Sequence, residues 1–222
     1  MNIKSWFRGL SAVVFTVLLS VTLWGSPAHA FVGSSYNKLL LTNECNGCDL
    51  SGVDLSGKDL YGAALIDANL SGANLSGALL IEAKLKGANL TGANLSNAEL
   101  SAVTLSGANL TGADFSNAVL YNALMDGAIL SGAKLTGADV ESAILSDADL
   151  SNAIAEDANF NRAILSRSNL SGGDFSRASM REVRLSLAKL DNAKLFDADL
   201  FRARMPNDTI YNGDVSQFGA VQ

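Results

Sequence analysis

The feature that most constrains this chain is a repeat of five residues. From Leu50 to Met205 every fifth position holds a large apolar side chain, and Ala155 is the one exception among 32 positions. Two residues before each of these, Ala occupies 25 of the 32 positions. Five residues match neither the 3.6-residue period of an α-helix nor the alternation of a strand. The backbone must therefore turn a corner every five residues, with Ala and Leu inside and the other three residues facing water.

A second period, of twenty residues, sets the number of corners in one coil. Glycine follows the central apolar residue by two positions at one corner, and it recurs there at Gly52, Gly72, Gly92, Gly112, Gly132 and Gly172. Ten residues out of phase the equivalent positions carry side chains, except at Gly62: they are Glu82, Ala102, Asn122, Ser142, Arg162, Glu182 and Arg202. Twenty residues are four repeats, so one coil is a square. We expect the glycine corner to use a turn with positive φ, and the opposite corner to use turns that tolerate side chains.

Units such as Ala-Asn-Leu-Ser-Gly at 68–72 resemble the repeats of the pentapeptide-repeat proteins. The resemblance covers residues 45–205 in 32 consecutive units. It implies an all-β fold, a right-handed quadrilateral parallel β-helix with a short capping helix before it. The domain organisation that we expect is a signal peptide at 1–30, an N-terminal cap at 31–44, the β-helix at 45–205, and a C-terminal partial coil and tail at 206–222.

The two ends of such a stack need a cover, because open coils would pair with other chains. At the N-terminus, Ser34 or Ser35 is expected to cap a short helix, and the three leucines at 39–41 are expected to cover the first coil. At the C-terminus a turn at 206–208 is expected to lead into a last partial coil and a frayed end. The core has one predicted volume defect, at Ala155, which we expect the rings of Phe160 and Phe175 to fill.

The first thirty residues have the composition of a Sec-type signal peptide. Lys4 and Arg8 give a positive start, residues 10–24 form a mostly apolar run without charge, and Ala-His-Ala at 28–30 fits a cleavage site. The alternative is an uncleaved membrane anchor, but the run is shorter than the roughly 20 apolar residues of a spanning helix. We therefore expect export, with no membrane span after cleavage.

Cleavage would remove His29, the only histidine, and with it the commonest general base and metal ligand. The chain has no nucleophile elbow, phosphate loop or His-Glu pair. Ten of the 22 carboxylates, such as Asp49 and Asp149, stand just before a central inward residue of the array, where we expect them to face water. The calcium-binding nonapeptide of other β-helices is absent. We therefore expect no enzyme activity, no cofactor and no metal site.

Charge is distributed unevenly along the mature chain. Residues 31–157 hold 5 basic and 15 acidic residues, a net charge of -10, and residues 158–222 hold 9 basic and 7 acidic residues, a net charge of +2. One explanation is that the two ends of the array bind different partners. The other is that surface residues vary without functional constraint. An acidic chain without interleaved basic and aromatic residues argues against direct binding of nucleic acid.

Cys45 and Cys48 lie at the start of the array, in the sequence Cys-Asn-Gly-Cys. In the frame of the repeat both side chains point inward across one corner, where α-carbons lie within about 7 Å. Because export implies an oxidising compartment, we favour a disulfide. The alternatives are a free buried pair and a thioredoxin-like redox pair, which lacks its usual strand-then-helix setting here.

An anomaly in the outward-facing positions suggests a docking surface. The residue before each central Leu should face water, yet Leu124, Ile144 and Ile164 follow one another in three consecutive coils. A strip of this kind predicts a protein-docking surface. The alternative is that branched residues simply suit a β-ladder.

The sequence therefore predicts an exported, monomeric scaffold or protein-binding solenoid whose protein partner it does not identify. The leader, the stretch 39–48 and the uninterrupted units look like cyanobacterial and chloroplast-lumen members of the family, which implies the periplasm or the thylakoid lumen. The alternative function is that of family members associated with quinolone resistance, acidic rods that mimic DNA and inhibit a topoisomerase. Export argues against it, since gyrase is cytoplasmic.

Overall fold

The computed structural model describes residues 27–211, 213, 215–216 and 219–221. Most of the expected leader, residues 1–26, lies outside the described residues. One helix, α1 (Pro27–Thr42), precedes the array. From residue 44 onward the described chain pairs through single-residue β-bridges and forms no longer strand. In this part of the chain, no helix has the length and apolar character that a membrane crossing requires.

Residues twenty apart pair in parallel along the whole array, beginning with Glu44 and Ala64. The amide of Leu90 donates to the carbonyl of Asn109 at 2.7 Å, and the amide of Asn89 donates to the carbonyl of Ala68 at 2.9 Å. Each coil is thus bonded to the coil before it and the coil after it on all four sides. The predicted quadrilateral β-helix with twenty residues per coil is confirmed. We call face A the side with bridge residues Glu44, Ala64, Lys84, Thr104, Leu124, Ile144, Ile164, Arg184 and Arg204.

The core consists of the Leu and Ala columns of the repeat. The central residues from Leu50 to Met205 are all buried, and the Ala positions line the same interior. Where Ser168 takes an Ala position, its hydroxyl donates to the carbonyl of Leu165 at 2.6 Å, so burial leaves no polar group unpaired. Because each coil buries only four central residues, stability depends on stacking coil upon coil.

All four corners use one kind of turn. The amide of each Ala position donates to the central carbonyl before it, as from Ala93 to Leu90 at 3.0 Å, and the residue before the Ala position has positive φ. That combination is the geometry of a type II turn. The expectation of a different turn at the opposite corner is wrong, because φ there lies between 55° and 59° at Glu82, Ala102, Asn122, Ser142, Arg162, Glu182 and Arg202.

The ladder explains why the corners are uniform. The amide of Ala102 donates to the carbonyl of Tyr121 at 2.8 Å, so the corner residue is itself bonded to the next coil. The corners stacked in one column, twenty residues apart, can keep this bonding only if they bend alike. The hydrogen bonds of the stack therefore hold side-chain-bearing residues in the left-handed conformation, at a cost of roughly 1–2 kcal/mol each.

Helix α1 covers the open end of the first coil with fewer leucines than expected. It begins at Pro27, so the expected start at Ser34 or Ser35 is wrong, and Ser35 lies buried within the helix. Leu39 is buried, but the two leucines at 40–41 are exposed. Successive helical residues are rotated by about 100°, so three neighbouring leucines cannot all face one surface. The helix also spans the expected cleavage point after residue 30.

The C-terminal tail covers the last coil. Arg204 pairs with Ile210 in antiparallel fashion, so the chain reverses direction after the array, and Ile210 is exposed. Val221 then pairs in parallel with Lys194, and Val215 is buried. The described residues at 219–221 are thus bonded to the last coil, where we expected a frayed end.

Two aromatic rings pack in the core near Ala155. Phe160 and Phe175 are fully buried, with ring centroids 5.8 Å apart in an edge-to-face arrangement. Gly173 replaces Ala at the inward position before Phe175, and a Cβ there would lie 2.7 Å from Cε2 of Phe175. Both rings point inward, as filling the space beside Ala155 requires, and the absence of a side chain at Gly173 makes room for one of them.

Candidate docking surface

Face A carries the apolar strip that the sequence indicated, defined as Leu124, Ile144 and Ile164. Parallel bridges join Leu124 to Ile144 and Ile144 to Ile164, so the three residues stand on consecutive coils, about 4.8 Å apart. Leu124 is 38% exposed, and the two isoleucines are half-buried. The structure therefore brings all three together on one outward surface.

Other exposed apolar bridge residues stand alone in their columns. Ile129, Ile154 and Leu79 are at least as exposed as Leu124. Their bridge partners are polar: Asn109 and Asp149 for Ile129, Lys134 and Asp174 for Ile154, Asp59 and Glu99 for Leu79. Among the described bridge residues, three consecutive exposed or half-buried apolar residues occur only in the apolar strip.

Two cations follow the strip on face A. Arg184 pairs with Ile164 through the backbone, and Arg204 pairs with Arg184. Both side chains are exposed, and neither forms an ion pair with a described residue. The guanidinium of Arg204 donates to the backbone carbonyl of Asp208, at 3.3 Å. The strip therefore ends in positive charge that no described carboxylate neutralises.

The corners on either side of the strip carry charges that form ion pairs. Arg162 lies between Glu141 at 3.1 Å and Glu182 at 3.8 Å. On the other side, the guanidinium of Arg167 donates to both carboxylate oxygens of Asp147, at 2.7 and 2.6 Å. These hydrogen bonds hold the pKa of Asp147 below its ordinary value. Arg162 is shared by two carboxylates, and among the described residues Arg184 and Arg204 are the unpaired cations that face A carries beyond the strip.

The polarity along the array is strongest at its two ends. In the first coil the bridge position is acidic on every side, at Glu44, Asp49, Asp54 and Asp59. In the last coils three of the four sides carry a basic bridge residue, at Arg184, Lys189 and Lys194. Lys194 is paired with Asp174 at 3.0 Å. An acidic ligand is therefore attracted to the C-terminal coils and repelled by the N-terminal ones.

Leu187, which sequence reasoning missed, extends this surface. It occupies the corner after Arg184, is 67% exposed, and has φ of 60°. A left-handed conformation costs a residue with a Cβ roughly 1–2 kcal/mol. Because the side chain of Leu187 is largely exposed, its burial offsets little of this cost. The available signal was its place in the repeat, since other corner positions of the array hold Gly, Ala or polar residues.

Cys45 and Cys48 form a disulfide, with α-carbons 5.2 Å apart. It closes the first corner of the array, directly after α1, and Cys45 is fully buried. The corner contains Gly47 with φ of 64° and is not the start of a helix, the setting that lowers the pKa of a redox-active thiol. The geometry suits a structural crosslink.

The outward carboxylates serve the turns of the array. Oδ1 of Asp49 accepts from the amide of Ser51 at 3.1 Å and from the side chain of Asn69 at 3.0 Å. Hydrogen bonds from Ser51 lower the pKa of Asp49. The ladder continues where Asn89 donates to Asn69 at 3.2 Å. Within the described residues, no group of three or more His, Cys, Asp or Glu side chains is placed to hold a metal ion.

The sequence matches the family model of pentapeptide repeats in eight copies, over residues 44–80, 78–117, 104–141 and 143–181. A solved structure with 30% identity is HetL, a pentapeptide repeat protein involved in heterocyst differentiation regulation in the cyanobacterium Nostoc sp. strain PCC 7120. The match covers 76% of this chain and 91% of HetL, with a TM-score of 0.57.

Two further solved structures are similar. Rfr23 of the cyanobacterium Cyanothece 51142 is 30% identical over 60% of this chain and 99% of its own, with a TM-score of 0.51. A pentapeptide repeat protein of the Arabidopsis thaliana thylakoid lumen is 39% identical over 45% of this chain and 67% of its own, with a TM-score of 0.41. No curated protein sequence matches the chain.

Proposed function

Since the chain belongs to the pentapeptide-repeat family, we propose that it is a non-catalytic scaffold that binds a protein partner on face A. Members of this family are in general structural or binding proteins and not enzymes. The observation that carries the proposal is the stacking of Leu124, Ile144 and Ile164 on three consecutive coils, with cations beyond them.

The stacked coils give this surface a rigid base. The amide and carbonyl of each strip residue are both bonded to the preceding coil, so little order has to be gained on binding. The strip alone is not sufficient for tight binding. Completing the burial of the three aliphatic side chains of the strip contributes about 1 kcal/mol each, whereas micromolar affinity needs about 8 kcal/mol. The bound partner must therefore also contact the neighbouring Arg184, Arg204 and Leu187.

Export to the periplasm or thylakoid lumen, where the protein acts as a monomer, is part of the proposal. The charged start, apolar run and small residues of positions 1–30 support it, and a disulfide suits an oxidising compartment. N-terminal sequencing of the protein from its own cells tests it. We expect the mature chain to begin at Phe31, and a chain that retains Met1 in the cytoplasm would contradict export.

Crosslinking in the native compartment tests the docking surface. A tagged wild-type chain is compared with the double variant Ile144→Ser, Ile164→Ser and with the control Ile129→Ser, Ile154→Ser. All four residues are outward bridge residues, but the control pair lies outside the strip. We expect captured proteins to be lost from the first variant and retained by the control. Retention by both variants would refute docking on face A.

A further inference from the structure

We infer that the segment bound on face A is an amphipathic α-helix that lies along the axis of the coil, with a carboxylate-rich C-terminal end at Arg184 and Arg204. This inference rests on the proposed function and specifies the chemistry of the partner. Spacing, backbone bonding and charge each support it independently.

The spacing of the strip matches a helix. From Leu124 to Ile164 the strip covers two steps of the stack, about 9.6 Å. Residues i and i+7 of an α-helix lie about 10.5 Å apart along its axis and face the same side, with i+3 between them. A β-strand laid along the same line would place its corresponding residues about 13 Å apart. A helix therefore fits all three positions to within about 1 Å, and a strand does not.

Backbone bonding within the stack leaves only side chains for recognition. The amide of Ile144 donates to Ala123 at 2.9 Å, and its carbonyl accepts from Met125 at 2.7 Å. Because both groups are used, no strand can be added at this point of the sheet. A segment recognised only through side chains has to satisfy its own backbone, as a helix does.

The charges nearest the strip favour one direction of the helix, and Lys84 lies two steps before Leu124 on the same face. Arg184 and Arg204 lie one and two steps beyond Ile164, where they favour the negative end of the helix dipole and acidic residues in its last turn. Near the other end of the strip, Asp126 is exposed two residues after Leu124 and has no ion pair among the described residues. Its carboxylate favours the positive N-terminal end.

The length of the surface sets the length of the helix. Leu124 to Arg204 covers four steps, about 19 Å, which an α-helix spans with about 13 residues. Leu187 lies beside Arg184 at the corner and adds apolar area where the acidic turn would lie. Its exposed side chain is suited to pack against the aliphatic stems of the acidic residues.

Designed peptides test the inference directly. The probe is an 18-residue helix, stapled on its outer face, with Leu at peptide positions 3, 6 and 10, Glu at positions 13 and 17, and Ala and Gln elsewhere. Fluorescence anisotropy with the purified exported protein is expected to show saturable binding. Arg184→Glu is expected to weaken it at least tenfold, and the matched control Lys189→Glu, a basic bridge residue of the same coil on another face, by less than twofold.

A charge exchange separates lost attraction from lost folding. A peptide with Lys in place of both Glu residues is expected to bind Arg184→Glu more tightly than it binds the wild type, which a misfolded variant could not do. No saturation by the Glu peptide at 100 µM, an equal loss in Lys189→Glu, or equal binding of a peptide with Glu at its N-terminal end would each overturn the inference. So would a dimer that Ile144→Ser dissociates in sedimentation velocity, because a second copy would then occupy the strip.

The two experiments distinguish failure of the helix from failure of the docking surface. If Ile144→Ser, Ile164→Ser loses its captured partners but the Glu peptide does not bind, face A remains a docking surface and the acidic helix is refuted. If that variant retains all its partners, the docking surface is refuted together with the helix.

Discussion

Replacing Ala102 by glycine should stabilise the protein, contrary to the usual effect of glycine in a regular element. Ala102 has φ of 55°, and a residue with a Cβ loses roughly 1–2 kcal/mol in that conformation. Glycine removes this cost, but its greater backbone freedom stabilises the unfolded chain by about 0.4–1 kcal/mol. The net effect is a stabilisation of about 0.5–1 kcal/mol. For an array of this size, that raises Tm by about 1–4 °C.

The reciprocal variant is Gly112→Ala. Gly112 has φ of 64°, and no atom lies within 4 Å of the position its Cβ would take, so the backbone conformation is the only source of strain. We expect a loss of about 0.5–1 kcal/mol. Urea unfolding and calorimetry of both variants measure the two effects. If Ala102→Gly instead lowers stability, as it would in a turn that suits side chains, the claim that all corners share one turn is refuted.

Three further predictions concern the core, an ion pair and the docking surface. Gly173→Ala should destabilise by about 1–3 kcal/mol in urea unfolding, because its Cβ would lie 2.7 Å from the Phe175 ring; unchanged stability would contradict that packing. Arg167→Gln should raise the pKa of Asp147 in a carboxyl NMR titration. Because the pKa of Asp147 is lowered in the folded protein, its pairing with Arg167 stabilises the fold at pH values above 3.8, the ordinary pKa. This contribution is lost as the pH falls through the folded-state pKa. An unchanged pKa of Asp147 in the variant would refute the pairing. Leu187→Asn should retain stability, since Asn tolerates positive φ, but should reduce partner capture; full capture would exclude Leu187 from the surface.

The inward columns were predictable because burial depends on the residue type at a fixed spacing. Leu90, Leu95, Leu100 and Leu105 meet inside the coil since any other winding would expose them. The turns were less predictable. At Ala102 and Arg162 the residue type argues against positive φ, but the hydrogen bonds of the stack determine the conformation. The conformational preferences of the individual residues therefore predicted the wrong turn type at a corner whose conformation is set by hydrogen bonds between coils.

The docking surface was only partly predictable for the same reason. The strip follows from the twenty-residue period, which places Leu124, Ile144 and Ile164 on one face. The significance of Leu187 depends on knowing that its corner is left-handed, and the isolation of Arg184 depends on which neighbouring carboxylates pair with other arginines. Such pairings are set by side-chain reach across coils and are not encoded in the repeat.

Site-specific photo-crosslinking in the native compartment tests the central claim most directly, that face A is where a partner docks. Benzoylphenylalanine is placed at Ser146, on the corner beside the strip, and at Thr136, on the diagonally opposite corner. We predict protein adducts from position 146 and none from position 136. Equal adducts from both positions, or adducts from position 136 alone, would contradict the account.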